Sequence, residues 1–210
     1  MTGTDLAGVL DGCRLLPVLT VPDPGTAGPL ADALAAGGAR CAEVTFRTPD
    51  AAQVLKTMAT HGGLVVGAGT VLTAEQAERA VAAGARFVVS PGYDEDVVAR
   101  CHELGVPVVP GIATATELMR ALAAGLDSVK LFPAEPLGGG ALLRALAAPF
   151  PGMRFVPTGG IGLDRMSDYL AHPAVLAVGG SWMATPGHLE HGDFAGIRRL
   201  TAEAVERSAR

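Results

Sequence analysis

The sequence predicts an α/β protein, folded as a single (β/α)8 TIM barrel domain over residues 1–210. Two observations support this prediction: a helix–glycine–strand pattern recurs along the chain, and the strands in that pattern are almost continuously apolar. Parallel strands that are covered on both faces lack polar alternation, because neither face meets water. Eight such units in 210 residues fit a compact barrel.

The repeated unit is clearest in the middle of the chain. Residues 78–86, ERAVAAGAR, precede FVVSPG, and residues 119–127, MRALAAGLD, precede SVKLFPA. Glycine just past a helix is the usual left-handed C-cap, so each unit predicts a helix followed by a strand. The eight predicted strands cover residues 14–21, 41–47, 64–71, 86–92, 107–112, 128–134, 154–160 and 175–181.

Amphipathic segments between these strands predict the helices. Residues 73–84 and 94–105 place their apolar side chains on one face, and residues 193–209 form the predicted last helix. An open doubly wound sheet is the alternative architecture, but it usually has fewer strands and a nucleotide-binding fingerprint. Residues 67–72, GAGTVL, contain only two of the three glycines in that fingerprint.

Composition limits the classes of function. The chain is 49% hydrophobic with a net charge of −5 and a mean hydropathy of +0.36, but no apolar run approaches the roughly 20 residues of a membrane span. The N-terminus lacks the basic segment of a signal peptide, so we expect a cytoplasmic protein without a membrane partner. The absence of a basic run argues against nucleic acid. Three widely spaced cysteines, Cys13, Cys41 and Cys101, argue against a disulfide framework.

Lys130 is unusual because it interrupts an apolar strand, SVKLFPA. Of the 16 lysines and arginines in the chain, only Lys56 and Lys130 are lysines, and Lys56 lies in a helix-like segment where any solvated side chain would serve. The chain otherwise uses arginine for positive charge, yet it uses lysine where burial is costly. Lys130 is therefore the candidate for a task that needs an amine, such as attack on a carbonyl.

Polar and glycine residues gather at the C-terminal ends of the predicted strands, where barrel enzymes carry their active sites. Side chains alternate along a strand, so Glu43 and Arg47 face the barrel interior if Val44 and Phe46 pack on helices. The same alternation turns Lys130 inward. The full set of candidates at this end is Glu43, Arg47, Thr70, Lys130, Phe132, Thr158, Gly159, Gly160, Gly179, Gly180 and Ser181.

Simpler explanations exist for the charged candidates. Glu43 and Arg47 would form a solvated ion pair if both lay at the barrel rim, and Lys130 would extend to the same rim without a chemical role. The apolar sequence around Glu43 argues against the first explanation, because an isolated buried charge is costly. The coincidence of all the candidates at one end of one barrel favours a site.

Glycine pairs follow strands seven and eight, in the segments PTGGIG and VGGSW. The corresponding loops of many barrels bind a phosphate through backbone N–H groups. Glycine allows the backbone to approach the anion closely, and Ser181 would add a hydroxyl. Two tight turns that need glycine are the alternative explanation.

An inward lysine, glutamate and arginine beside a phosphate site predict imine chemistry. A lysine amine attacks a ketone, water leaves, and the resulting iminium ion accepts the electrons of a neighbouring C–C bond as that bond breaks. Glu43 is the predicted general acid and base, because alternation sends its carboxyl to the same side as Lys130. Arg47 is predicted to hold a substrate carboxylate and to supply positive charge near the amine.

Seven segments, in order, resemble the signature of the KDPG/KHG aldolase family, over nearly the whole chain. They are EVTFRTP (43–49), GAGTVL (67–72), SPG (90–92), PGIATATELM (110–119), KLFPAE (130–135), PTGGI (157–161) and VGGSWM (178–183). Members are class I aldolases of the Entner–Doudoroff pathway that cleave 2-keto-3-deoxy-6-phosphogluconate (KDPG) to pyruvate and glyceraldehyde 3-phosphate. Some also cleave 4-hydroxy-2-oxoglutarate (KHG) to pyruvate and glyoxylate. The resemblance implies the same fold and activity here.

The resemblance also implies a role for each candidate. Lys130 would form the Schiff base, Glu43 would be the acid and base, and Phe132 would line the pyruvyl pocket. The implied substrate contacts are Arg47 and Thr70 for the pyruvate carboxylate, Thr158 for the configuration at C4, and Gly159, Gly160, Gly180 and Ser181 for the distal phosphate. The partner is then a small phosphorylated 2-keto acid, the assembly a homotrimer, and neither a metal ion nor another cofactor is expected.

Other functions stay open on the sequence. A phosphate-binding isomerase or synthase would use Glu43 as a base and Lys130 only for its charge. A catalytically silent keto-acid phosphate sensor would bind without reaction, although the complete Lys–Glu–Arg set argues against it. Cleavage of the phosphogalactonate epimer is the alternative within the family. A metal-dependent aldolase would need ligands such as His188, Glu190 and His191. These residues lie in the predicted loop after strand eight, residues 183–193, and lack the helical HExxH spacing.

Overall fold

The computed structural model describes residues 6–10, 12–61 and 63–209. Its strands are β1 (Leu15–Leu19), β2 (Cys41–Thr45), β3 (Val65–Gly69), β4 (Val88–Val89), β5 (Val108–Val109), β6 (Gly111–Ile112), β7 (Ser128–Leu131), β8 (Arg154–Phe155) and β9 (Val178–Gly180). Its helices are α1 (Leu6–Leu10), α2 (Ala27–Ala36), α3 (Ala51–Thr60), α4 (Ala74–Ala82), α5 (Glu95–Leu104), α6 (Ala115–Ala123), α7 (Gly139–Ala147), α8 (Leu163–Leu170), α9 (Pro186–Glu190) and α10 (Phe194–Ser208). The single-domain assignment over residues 1–210 also covers positions 1–5, 11, 62 and 210, which lie outside the described residues, and it stays a prediction.

Parallel strands follow one another around the barrel in chain order, which confirms the predicted (β/α)8 architecture. One sheet has the order β5-β4-β3-β2-β1-β9, and the other has the order β6-β7-β8. Isolated parallel bridges, between Phe155 and Val175 and between Thr158 and Gly179, join β8 to the segment that contains β9. These bridges make one of the two connections between the sheets.

The second connection is the fifth predicted strand, residues 107–112, which Pro110 divides into β5 and β6. The carbonyl of Val109 accepts a hydrogen bond from Ser90 on one side, and the carbonyl of Pro110 accepts one from Lys130 on the other. Proline has no N–H to offer a ladder, so the regular pairing is interrupted while the chain stays extended. This short segment therefore contacts both β4 and β7.

The predicted strands extend too far at their C-terminal ends. β2 ends at Thr45 rather than at residue 47, and β7 ends at Leu131 rather than at residue 134. Arg47 and Phe132 consequently lie in loops and not in strands. The apolar pattern continues past the last ladder hydrogen bond because these loops are partly buried above the barrel, so the sequence pattern could not mark the strand ends.

Alternation along the strands produces two apolar layers. Val44 and Leu131 belong to the outer layer, between the strands and the helices. The inner cluster consists of Leu6, Leu10, Cys13, Leu16, Cys41, Phe87, Val89, Val109 and Val156. Cys41 and Val156 each lie two residues before a candidate of the site, Glu43 and Thr158. The inner cluster therefore fills the barrel on the N-terminal side of the site and leaves its C-terminal end for chemistry.

The helices begin and end at the residue types that the sequence indicated. The Asp94 side chain accepts a hydrogen bond from the Val97 N–H at the start of α5, and Gly105 ends that helix with φ +70°. One difference is α9, a short helix within residues 183–193, which begins at Pro186 in a segment expected to be a loop. Within the described ranges, no helix is both long enough and apolar enough to span a membrane.

Candidate active site

Lys130 of β7 and Glu43 of β2 meet inside the barrel. Nζ of Lys130 lies 3.2 Å from Oε1 of Glu43, and the two side chains are only 6% and 1% exposed. Their strand neighbours Val44, Val129 and Leu131 point to the outer layer, as the alternation of the sequence requires. A lysine and a glutamate 87 positions apart are thus brought together in the least hydrated part of the candidate site.

One carboxylate oxygen of Glu43 has no hydrogen-bond partner in the described part of the chain. Oε1 accepts the hydrogen bond from Lys130, while Oε2 is buried without a hydrogen bond among the described residues. Buried polar atoms are nearly always paired, so an unpaired one in a native structure often marks a functional group. Glu43 is placed to take or give a proton through Oε2 without losing its contact with Lys130.

Phe132 connects this pair with a cavity of about 370 Å³. Nζ of Lys130 lies 5.2 Å from the centroid of the Phe132 ring, within the range of a cation–π contact. The cavity lining includes Phe132 but neither Lys130 nor Glu43. The lining residues are Val18, Thr20, Arg47, Phe132, Thr158, Gly159, Gly160, Ile161, Gly179, Gly180, Ser181, Ala184, Thr185 and Pro186.

Arg47 and Thr70 form the polar rim of the site. Nε of Arg47 donates to Oγ1 of Thr70 at 3.2 Å, and Arg47 also lines the cavity. Because β2 ends at Thr45, Arg47 reaches this position from the following turn and is exposed. The solvated ion pair of Arg47 with Glu43 is not formed here, since the ionic partner of Glu43 among the described residues is Lys130.

Thr70 has a strained backbone. Its φ is +56°, and it is the one non-glycine position with positive φ among the described residues. A β-branched side chain is disfavoured in this conformation, which persists only where the surrounding structure holds it. The conformation coincides with the hydrogen bond from Arg47, so strain and a polar contact occur at the same residue of the candidate site.

The glycines that line the cavity have two different physical causes. Gly159 and Gly160 have φ of +101° and +79°, so their turn requires glycine, as the simpler explanation proposed. Gly179 and Gly180 instead leave room for neighbours: a Cβ would lie 2.2 Å from Oγ1 of Thr158 at Gly179, and 1.7 Å from the Trp182 ring at Gly180. Ser181 follows them and is exposed to the cavity.

Thr20 is a cavity residue that the sequence interpretation missed. Its hydroxyl lies 2.9 Å from that of Thr45, which belongs to the same strand as Glu43. The signal was present, because alternation in the first strand turns Val18 and Thr20 inward, and both line the cavity. Thr185 and Pro186 were also missed, since α9 was expected to be a loop.

The residues considered for other chemistries have structural contacts. Nδ1 of His188 lies 2.9 Å from Oγ1 of Thr185, and Nδ1 of His191 lies 2.8 Å from the carbonyl of Gly187. No group of three or more His, Cys, Asp or Glu side chains in residues 6–10, 12–61 and 63–209 is arranged to hold a metal ion.

The pKa of the Cys41 thiol is raised well above its usual range, mainly by a hydrogen bond with Cys13 and secondly by burial. The Cys41 thiol therefore stays protonated.

A model of the family described as KDPG and KHG aldolase matches residues 7–200. The 2-dehydro-3-deoxy-phosphogluconate aldolase of Treponema pallidum is 51% identical to this chain over 198 residues, which cover 94% of each chain. A match of this extent includes all eight barrel units.

Two solved structures also match nearly the whole chain. The 2-keto-3-deoxy-6-phosphogluconate aldolase of Zymomonas mobilis, solved with 3-phosphoglycerate, has a TM-score of 0.91 and 42% identity, covering 96% of this chain and 95% of its own. The KDPG aldolase of Legionella pneumophila, solved with pyruvate captured as a covalent carbinolamine, has a TM-score of 0.91 and 37% identity, covering 96% and 98%. Both are similar to this chain throughout its barrel.

Proposed function

The chain belongs to the KDPG and KHG aldolase family, and we propose that it cleaves KDPG to pyruvate and glyceraldehyde 3-phosphate through an imine on Lys130. The observation that carries this proposal is the buried contact between Lys130 and Glu43, beside a cavity that extends to a glycine-rich loop. The carbinolamine of pyruvate in the Legionella pneumophila relative supports the same chemistry.

Imine formation uses both members of the buried pair. Nζ of Lys130, as the neutral amine, adds to the C2 ketone of the substrate to give a carbinolamine. Glu43 then supplies the proton with which the hydroxyl leaves as water. The unpaired Oε2 of Glu43 supports this role, because a proton can pass through it while Oε1 remains against Lys130.

Cleavage and release follow from the same arrangement. Glu43 takes the proton of the C4 hydroxyl, the C3–C4 bond breaks, and its electron pair passes into the iminium group to leave an enamine on Lys130. Glyceraldehyde 3-phosphate departs. Protonation of the enamine at C3 and addition of water then release pyruvate and restore the free amine.

Each part of the substrate is assigned to its own set of residues in the site. Arg47 and Thr70 bind the carboxylate, and the Phe132 ring packs against the pyruvyl group. The phosphate lies on the loop residues Gly159, Gly160, Gly180 and Ser181, and the hydroxyl of Thr158 bonds to the substrate near C4. The cavity lining, which contains Arg47, Phe132 and every residue of the phosphate set, supports one elongated anionic ligand.

Assembly and location are further parts of the proposal. The chain forms a homotrimer, for which three exposed apolar side chains offer contact surface: Leu72, Met119 and Leu122 are 54%, 63% and 58% exposed. Light scattering should give a mass three times the 21.2 kDa of the chain. A charged, phosphorylated substrate does not cross a membrane unaided, so the reaction belongs in the cytoplasm.

Steady-state cleavage of three substrates tests the proposal. Pyruvate release from KDPG, from its galactonate epimer and from 4-hydroxy-2-oxoglutarate is followed with lactate dehydrogenase and NADH. We expect a higher kcat/KM with KDPG than with 4-hydroxy-2-oxoglutarate, because only a phosphorylated substrate can bind the glycine loop. We also expect a higher value with KDPG than with the epimer, because Thr158 is assigned to the configuration at C4. Preference for the epimer would change the assigned substrate, and release from none of the three would leave an isomerase, synthase or sensor as the function.

A further inference from the structure

Glu135 lies outside the catalytic set, in the middle of the loop between β7 and α7. Its backbone N–H donates to the carbonyl of Gly159 at 3.0 Å, and the neighbouring Ala134 N–H donates to the carbonyl of Thr158 at 2.8 Å. These two bonds tie the β7–α7 loop to the first half of the loop that carries Gly159 and Gly160. The first half of the glycine loop is therefore fixed by backbone contacts alone.

The side chain of Glu135 contacts the helix that follows the glycine loop. Its Oε1 accepts a 2.5 Å hydrogen bond from the hydroxyl of Tyr169, and its Oε2 lies 3.6 Å from Nη2 of Arg165. Tyr169 and Arg165 belong to α8, the helix that directly follows the glycine loop. Glu135 thus contacts both the loop itself, at Gly159, and the helix that follows it.

Packing supports the same relationship. The side chain of Glu135 covers Gly160 so closely that a Cβ at Gly160 would lie 2.8 Å from the Cβ of Glu135. Tyr169 is only 2% exposed, and burial, with Glu135 as a further cause, raises the pKa of its hydroxyl above the usual range. The hydroxyl therefore remains a hydrogen-bond donor at any pH at which the enzyme would work.

The glycine loop needs this support because of its backbone. Gly159 and Gly160 both have positive φ, and glycine populates many other conformations at little cost. A loop of this kind presents its N–H groups in one direction only when neighbouring groups hold it. The geometry of the backbone is therefore set from outside the loop.

We propose that Glu135 is a positioning residue for the phosphate of the substrate, acting through Tyr169 and Arg165 on the loop at Gly159 and Gly160. The proposal rests on the proposed function, which assigns the phosphate to this loop. Glu135 does not contact the substrate. Its loss should therefore weaken binding of the phosphorylated end and leave imine chemistry at Lys130 unchanged.

The experiment compares a phosphorylated and an unphosphorylated substrate in Glu135→Ala, Glu135→Gln and Tyr169→Phe. We expect Glu135→Ala to raise KM for KDPG and the inhibition constant of inorganic phosphate by about tenfold, the loss of one or two charge-assisted hydrogen bonds. KM for 4-hydroxy-2-oxoglutarate and the rate of pyruvate trapping at Lys130 should change less than about twofold. Glu135→Gln keeps an acceptor for Tyr169 and should restore part of the effect, and Tyr169→Phe should reproduce part of it.

A matched control is Glu203→Ala, which removes a glutamate that pairs with Arg207 at 2.8 Å on α10. This variant should retain wild-type KM for both substrates. Equal changes for both substrates in Glu135→Ala, or no change in any of the three variants, would overturn the positioning role. Failure of the wild-type chain to cleave KDPG or to bind phosphate would instead overturn the proposed function, and the proposal for Glu135 with it.

Discussion

Gly69 leaves the space that the carboxylate of Glu43 occupies. A Cβ at Gly69 would lie 2.0 Å from Oε1 and 2.5 Å from the carboxyl carbon of Glu43, far inside van der Waals contact. The two residues are close neighbours on adjacent strands, although they are not directly opposite, because β2 pairs with β3 in parallel, with Glu43 opposite Gly67 and Thr45 opposite Gly69. Glu43 can therefore occupy its position only because the second glycine of GAGT, Gly69, has no side chain.

Gly69→Ala tests this relationship. We expect kcat for KDPG to fall at least about 100-fold, because a displaced Glu43 loses the usual contribution of a general acid and base, while KM changes little. Steady-state kinetics on the folded variant, checked by circular dichroism, measures both values. Gly92→Ala is the matched control, since no described atom beyond Gly92 and its two chain neighbours lies within 4 Å of its added Cβ. Wild-type kcat in Gly69→Ala would show that Glu43 does not need this position.

The buried pair also has a consequence for stability. Lys130→Met leaves the buried Glu43 without its cationic partner, and breaking a buried ion pair typically costs about 3 kcal/mol or more. The double variant Lys130→Met/Glu43→Gln removes the charge as well and should recover at least half of that loss. Urea unfolding of the four proteins gives the coupling free energy. Additive effects of the two substitutions would contradict a direct interaction.

The backbone strain at Thr70 should lower the stability of the fold, while its hydroxyl should favour substrate binding. Thr70→Gly relieves a strained positive φ and should raise the free energy of unfolding by about 1 kcal/mol, the strain less the entropy cost of glycine. It should also raise KM, because the partner of Arg47 is lost. Thr70→Val keeps the strain but loses the hydroxyl, so it should raise KM without a gain in stability. A stable Thr70→Val with wild-type KM would remove Thr70 from the carboxylate site.

Sequence alone could predict the inward side chains but not the distances between them. The alternation of side chains along a strand predicted that Glu43 and Lys130 face the barrel interior, since each interrupts an apolar strand. Their contact at 3.2 Å depends on barrel closure across a sequence separation of 87 positions, which no local pattern encodes. The strand ends were placed too late because the loops above the barrel are also apolar. Thr20 was overlooked because a threonine in a strand is chemically ordinary until its neighbours are known.

The physical reason for each glycine was the least predictable part of the site. Gly159 and Gly160 are explained by positive φ, but Gly69 and Gly180 are explained by the side chains of Glu43 and Trp182. Either cause leaves a glycine in the sequence, so the sequence does not separate them. They can be told apart only from the backbone conformation and the neighbouring side chains in the folded chain.

Glu117 gives α6 a pH-dependent stability. Burial raises the pKa of its carboxyl, but hydrogen bonds from Ala113 and Thr114 outweigh this and hold the pKa below its ordinary value. Stability from such a group is present above the pKa of the unfolded chain, about 4.3, and is lost as the pH falls through the folded pKa. Glu117→Gln should lower the free energy of unfolding at pH 7 by up to about 1 kcal/mol, with a smaller difference at about pH 3, below the unfolded pKa.

Urea unfolding at the two pH values measures this difference. Glu75→Gln, in the first turn of α4, is the control and should have a smaller effect at pH 7. A difference between Glu117→Gln and wild type that is equal at both pH values would contradict the role assigned to the carboxylate.

Borohydride trapping with pyruvate tests the central claim most directly. The folded chain is incubated with saturating pyruvate and sodium borohydride, and intact mass and peptide mapping locate any reduced adduct. We expect one adduct on the peptide that contains Lys130, and none in Lys130→Arg, which keeps the charge but has no amine nucleophile. An adduct on Lys56, or no adduct on a folded wild-type protein, would contradict an imine mechanism at Lys130.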